Sequence, residues 1–158
     1  MGTFVQNINS IIVTVISAVV TFIVGQILQA IWLEPLQRYK EIKSDIVWTL
    51  AYYANIYSHV AVWTNMSDSV RKSYEEAKEK LRNLSCEIRG FAETMSWIHM
   101  CIPSKKRLIR ASDHLMSLSN ALYGAEKSRA REIRGERNKQ IAEKVYIELK
   151  IHKKKRVD

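Results

Sequence analysis

Residues 10–25 read SIIVTVISAVVTFIVG, a stretch apolar enough for a lipid bilayer yet interrupted by hydroxyl groups at a regular interval. Ser10, Thr14, Ser17 and Thr21 follow one another at spacings of four, three and four, and Gly25 continues the row. With 3.6 residues per helical turn, these positions share one stripe. Asn7 extends the stripe at one end and Gln29 at the other. A stripe of small and hydroxyl residues lets helices approach closely and hydrogen-bond across the contact. Two readings follow: a packing seam between copies of the chain, or the lining of a narrow pore. Either way the helix is not expected to stand alone.

The stretch belongs to a longer apolar head. Ile8 to Leu33 carries no formal charge, and roughly 20 apolar residues suffice to cross a hydrocarbon core. A signal peptide needs a basic leader and a shorter apolar run, and residues 1–7 contain neither Lys nor Arg. Gly2 raises the question of myristoylation, but Gln6 stands where the motif wants Ser or Thr. The expectation is a transmembrane helix over 1–34, with Trp32 at the interface and Pro35 at the exit. Arg38, Lys40 and Lys43 follow at once. The positive-inside rule then predicts a single-pass membrane protein, N-terminus outside and body cytoplasmic.

All 25 Lys+Arg and 16 Asp+Glu of the 158-residue chain lie after that head, so the body carries the whole net charge of +9. Such a basic balance suggests phosphate-bearing ligands or a lipid surface, beside plain solubility. Two cysteines and four scattered histidines form no metal-binding pattern, and His99 with Cys101 supplies too few ligands. There is no glycine-rich phosphate loop, no HExxH and no GxSxG. No catalytic residue, metal or cofactor is therefore expected, and the chain does not read as an enzyme.

Beyond residue 34 apolar residues recur at helical spacing. The pattern predicts an all-α body, a cytoplasmic bundle of about four helices over 35–151, followed by a basic tail at 152–158. A first helix is expected from Pro35 to about Val62, with a stripe of Ile42, Ile46, Leu50, Tyr53 and Tyr57. After the polar turn WTNMSDS (63–69), a second should run from about 69 to 99. Its seam is Tyr74, Ala77, Leu81, Leu84, Ile88, Phe91 and Met95. CIPS (101–104) breaks it, and a third helix is expected from Lys105 to Tyr123, burying Leu108, Leu115, Leu118 and Leu122 before Gly124. A fourth is expected over roughly 126–151. The aromatic residues read mainly as core, with Tyr123 and Tyr146 as the candidates for base stacking.

Local rules are broken where the charge is densest. Ser104 is a good N-cap, but Lys105, Lys106 and Arg107 then crowd the positive end of the third helix, with Arg110 a turn later. Cations there cost about 0.3–1 kcal/mol each. Cations beside free N–H groups are what a phosphate seeks, while screening by water and salt is the plainer account. In the fourth helix Lys127, Arg131 and Arg134 share a face that continues as Asn138, Ile141, Ala142, Val145 and Leu149, with Gly135 between. One face is basic in its first half and apolar in its second. In a ring of subunits, Lys105, Lys106, Arg107, Arg110, Lys127, Arg131 and Arg134 would line a shared basic cavity. Such a cavity suits an oligonucleotide held by its backbone, with affinity falling steeply with salt.

Two stretches, EPLQRYKEIKSDIVWTLAYYANIYSHV (34–60) and IPSKKRLIRASDHLMSLSNALYG (102–124), carry a resemblance. A membrane helix, Glu-Pro, an amphipathic helix ending in Tyr-Ala-Asn, and later Ala-Ser with Leu-Ser-Asn resemble small single-pass bacterial membrane proteins over roughly 8–124. These look similar to the channel-type effector of the Hailong anti-phage defence system. The resemblance implies a homo-oligomer whose basic cytoplasmic cavity binds short DNA made by a partner nucleotidyltransferase; a tetramer is the expected form. It further implies permeabilisation of the membrane when the ligand is lost. The alternative from the residues themselves is a non-conducting membrane scaffold that recruits a protein or lipid partner.

Overall fold

A computed structural model describes residues 2–60, 67–95, 101–122 and 128–151, with the backbone alone for 2–11 and 128–131. Every element in these residues is helical. In order they are α1 (Gly2–Leu28), a π-helical turn (Gln29–Leu33), α2 (Glu34–Tyr52), α3 (Ala54–Ser58), α4 (Asp68–Thr94), α5 (Lys105–Asn120) and α6 (Ser128–Glu148). By internal packing the chain divides into two units, Met1–Arg38 and Tyr39–Asp158.

The first unit holds the apolar helix, which is long and apolar enough to cross a membrane. Every described side chain from Ile12 to Leu33 is exposed. The π turn sits just ahead of Pro35, where the Glu34 N–H reaches back five residues to the Gln29 carbonyl. Proline brings no N–H to the ladder and its ring crowds the carbonyl four residues earlier, so the helix widens there to keep its remaining bonds. The sequence reading placed the end of the first helix at Pro35, yet the backbone passes through it by this local change of pitch.

The second unit is a bundle in which α5 packs on both α4 and α6, and α3 packs on α6. Ile42, Ile46, Leu50, Leu81, Leu84, Ile88, Leu108, Leu115, Leu118, Leu122, Val145 and Leu149 are its most completely buried large side chains. Burying one such side chain stabilises the fold by about 1.5–3 kcal/mol. Where α4 crosses α5 the partners are small: the Ser85 hydroxyl donates to the Ser112 carbonyl at 2.8 Å and lies 3.1 Å from its hydroxyl.

Several boundaries differ from expectation. The first body helix breaks at Tyr53 (φ −91°, ψ 16°), and α3 ends at Ser58; residues 61–62 lie outside the described residues. In α4 the buried seam passes from Ile88 to Ala92, while Phe91 is half-buried and Met95 ends the helix in an extended conformation. A mean spacing of 3.5 falls behind the 3.6 of a straight helix, so after several turns the core position moves on by one. Finally, α5 ends at Asn120 and α6 at Glu148, both short of their expected ends; Gly124 lies outside the described residues.

Candidate anion-binding surface

The cations that crowd the start of α5 have local partners. Lys105 pairs with Glu93 of α4, and this neighbouring ammonium holds the Glu93 carboxyl below the usual carboxylate range. Further along the same α4–α5 seam, Arg89 meets Asp113 at 3.1 Å. Lys106 is exposed.

Arg107 and Arg110 instead reach the far end of α6. Arg107 Nε donates to the Glu148 carbonyl at 3.1 Å, and its Nη2 donates to the Ile147 carbonyl. The Glu148 carboxylate is ion-paired with both guanidiniums, 3.3 Å from Arg107 Nε and 3.1 Å from Arg110 Nε, and accepts a hydrogen bond from Arg110 Nη2 at 3.3 Å. Two residues of α2 join them. Tyr39 donates its hydroxyl to the Leu149 carbonyl at 2.9 Å, and Lys43 Nζ donates to the Lys150 carbonyl at 3.4 Å. A helix C-terminus presents unpaired carbonyls and the negative end of its dipole, which cations stabilise by about 0.3–1 kcal/mol, more when partly buried. The rule broken at the start of α5 is thus satisfied at the end of α6.

The end of α6 is itself tightly wound. Ile151 N–H donates to the Tyr146 carbonyl at 2.9 Å and Lys150 N–H to the Ile147 carbonyl at 3.1 Å. Lys150 stands at φ 52°. This pair of bonds around a left-handed residue is a Schellman ending, with lysine where glycine is usual.

The other basic group lies along α6. Lys127 is outside the described residues, and Arg131 is placed on the helix by its backbone alone. Arg134 is half-buried and engaged with the rest of the chain. With Arg137 it borders a cleft of about 550 Å³ between α5 and α6, whose opposite wall includes Asp113, Ser117 and Asn120. Arg137 was missed as a site residue by the sequence reading, although its spacing of three from Arg134 places both on one face. Among the seven cations, those with described contacts lie in separate parts of the bundle. Arg107 and Arg110 gather at the α6 end, Lys105 at α4, and Arg134 at the cleft.

Asn138, also on the cleft, is fully buried. Its Nδ2 donates to the Tyr57 carbonyl at 3.0 Å and the Ala121 carbonyl at 3.3 Å, joining the ends of α3 and α5. One turn earlier, Gly135 is buried against Ser58 of α3.

In the hydroxyl row, Thr14, Ser17 and Thr21 are exposed, and Ser10 lies where the backbone alone is described. Three- and four-residue steps keep the four positions within about 60° of arc. Thr21 donates its hydroxyl to the Ser17 carbonyl at 2.8 Å, so its proton is satisfied inside the helix.

The core-seam expectation holds for part of the aromatic residues, since Tyr39, Tyr57 and Tyr74 are buried. Trp48 and Tyr52 are 57% and 65% exposed, and their rings stack with centroids 4.8 Å apart. They lie on the outer face of α2 because Ile46, Thr49 and Leu50 take the inner one. Tyr123 is outside the described residues and Tyr146 is half-buried. Among the described residues no group of three or more His, Cys, Asp or Glu is placed to hold a metal ion. No protein-family model, curated protein or solved structure matches the chain.

Proposed function

We propose that this protein is an oligomeric effector of a bacterial inner membrane. Its apolar helices line an ion channel, and a short anionic oligonucleotide on the basic cytoplasmic body gates it. The observation that carries the reading is α1 with the π-helical turn that follows it: an apolar segment exposed from Ile12 to Leu33, with Thr14, Ser17 and Thr21 along one stripe. Water is a poor solvent for such a surface; lipid on most sides and like helices on the hydroxyl side would cover it. Net charge +9 in the body supports an anionic ligand, and the likeness to the Hailong channel effector supports short DNA from a partner nucleotidyltransferase. No catalytic role is assigned.

One observation favours the non-conducting scaffold. The Thr21 proton is turned back onto its own helix and is not offered to water, which suits a packing seam better than a pore wall. The variant Thr14→Leu, Ser17→Leu, Thr21→Leu separates the two. A channel keeps its oligomeric state and loses conductance, whereas a scaffold that relies on close packing loses assembly. Crosslinking in membranes together with ion flux from liposomes reads both.

A further inference from the structure

The Glu148 carboxylate is the anion on which two cations of α5 converge. It is ion-paired with Arg107 and Arg110, two cations that otherwise suit an incoming anion, and its side chain is only 16% exposed. The same few residues of chain are held by α2, through Tyr39 to the Leu149 carbonyl and Lys43 to the Lys150 carbonyl. Tyr39 follows Leu33, the last residue of the apolar head, by six positions. A single strand of chain, residues 147–150, thus joins the cations of α5 to the start of the body.

We propose that Glu148 is a built-in anion that holds Arg107 and Arg110 in the ligand-free protein, and that an incoming polyphosphate displaces it and frees the α6 end from Tyr39 and Lys43. The chemistry is an exchange of acceptors. Each guanidinium keeps its charge-assisted bonds, now to phosphate oxygens, while the Glu148 carboxylate and the 147–150 carbonyls pass to water. Two oxygens of a phosphate can take the two guanidiniums as the two oxygens of the Glu148 carboxylate do, and a polyphosphate brings the extra charge that displaces it. The Schellman ending at Lys150 already bears a left-handed non-glycine residue, so it is the part of α6 that opens when its outside bonds are removed. The exchange deepens the ligand-gated reading above and rests on it for its purpose, but not for its chemistry.

The test uses the full chain in detergent micelles and inorganic tripolyphosphate as probe. Calorimetry should show Glu148→Gln binding it about 10-fold more tightly than the natural protein, the equivalent of one charge-assisted contact. The gain should disappear when Arg110→Gln is added. In the unsubstituted protein, tripolyphosphate should accelerate hydrogen exchange at the amides of residues 149–151, a readout that does not depend on any variant folding. Equal affinity in the two proteins, or saturation without faster exchange at 149–151, would overturn the proposal. If both effects are found and ion flux never responds, the exchange stands and the channel reading fails.

Discussion

A Cβ built on Gly135 would lie 2.2 Å from the carbonyl oxygen of Ser58, so α6 meets the end of α3 backbone to backbone. Inside a helix, alanine is normally better than glycine by about 1 kcal/mol. Here the sign should reverse. Gly135→Ala is expected to destabilise the body by about 1–3 kcal/mol, the cost of overpacking a contact that cannot move aside. Gly90 of α4 has nothing within 4 Å of the same construction, and Gly90→Ala should stabilise by about 0.5–1 kcal/mol. Chemical unfolding followed by circular dichroism compares them, and a common sign would mean that α3 does not sit on Gly135.

Asn138 makes the neighbouring junction. Its Nδ2 serves the carbonyls of both Tyr57 and Ala121. Asn138→Asp keeps the shape but brings an anionic oxygen against two acceptors in a buried place. A loss of about 3 kcal/mol or more is expected, in the same unfolding measurement. A neutral result would remove this residue from the joint.

The left-handed conformation of Lys150 offers a gain. A non-glycine residue there bears a penalty of about 1–2 kcal/mol that glycine avoids. Lys150→Gly should therefore raise stability by about 1 kcal/mol, visible as a higher unfolding midpoint. No gain would mean that the α6 end is not wound as described.

His114 of α5 is half-buried, and burial with the nearby Lys144 holds its pKa below the ordinary 6.5. Arg110 adds to that effect, while Glu148 and Asp113 oppose it. The unfolded chain then takes up a proton at higher pH than the folded one. Above 6.5 the imidazole is neutral in both states and costs nothing; as pH falls below it, stability declines until the folded value is passed. Melting temperatures recorded across this range should show the decline, and His114→Gln should flatten it. An unaltered slope would assign the acid sensitivity to other groups.

Periodicity made the cores of α5 and α6 legible, since Leu108, Leu115, Leu118, Ile141, Val145 and Leu149 repeat at helical spacing and are all buried. It could not show the break at Tyr53, where the sequence has no glycine or proline. That break comes from contacts made 77 to 81 residues away in sequence, between Ser58 and Gly135 and between Tyr57 and Asn138. The basic start of α5 was legible as a violation of the dipole rule, but its resolution was not. The carbonyls that answer Arg107 lie 40 and 41 residues further on, and no local pattern announces them. Exposure of Trp48 was hidden for a related reason: aromatic residues at helical spacing look the same whether or not a neighbour covers them.

Ion flux from liposomes holding the purified protein, with and without short single-stranded DNA, tests the central claim most directly. The account predicts flux that depends on the DNA and a response that weakens as salt is raised. Absence of flux under every condition, from protein shown to be oligomeric, would contradict it and leave the hydroxyl row as a packing seam.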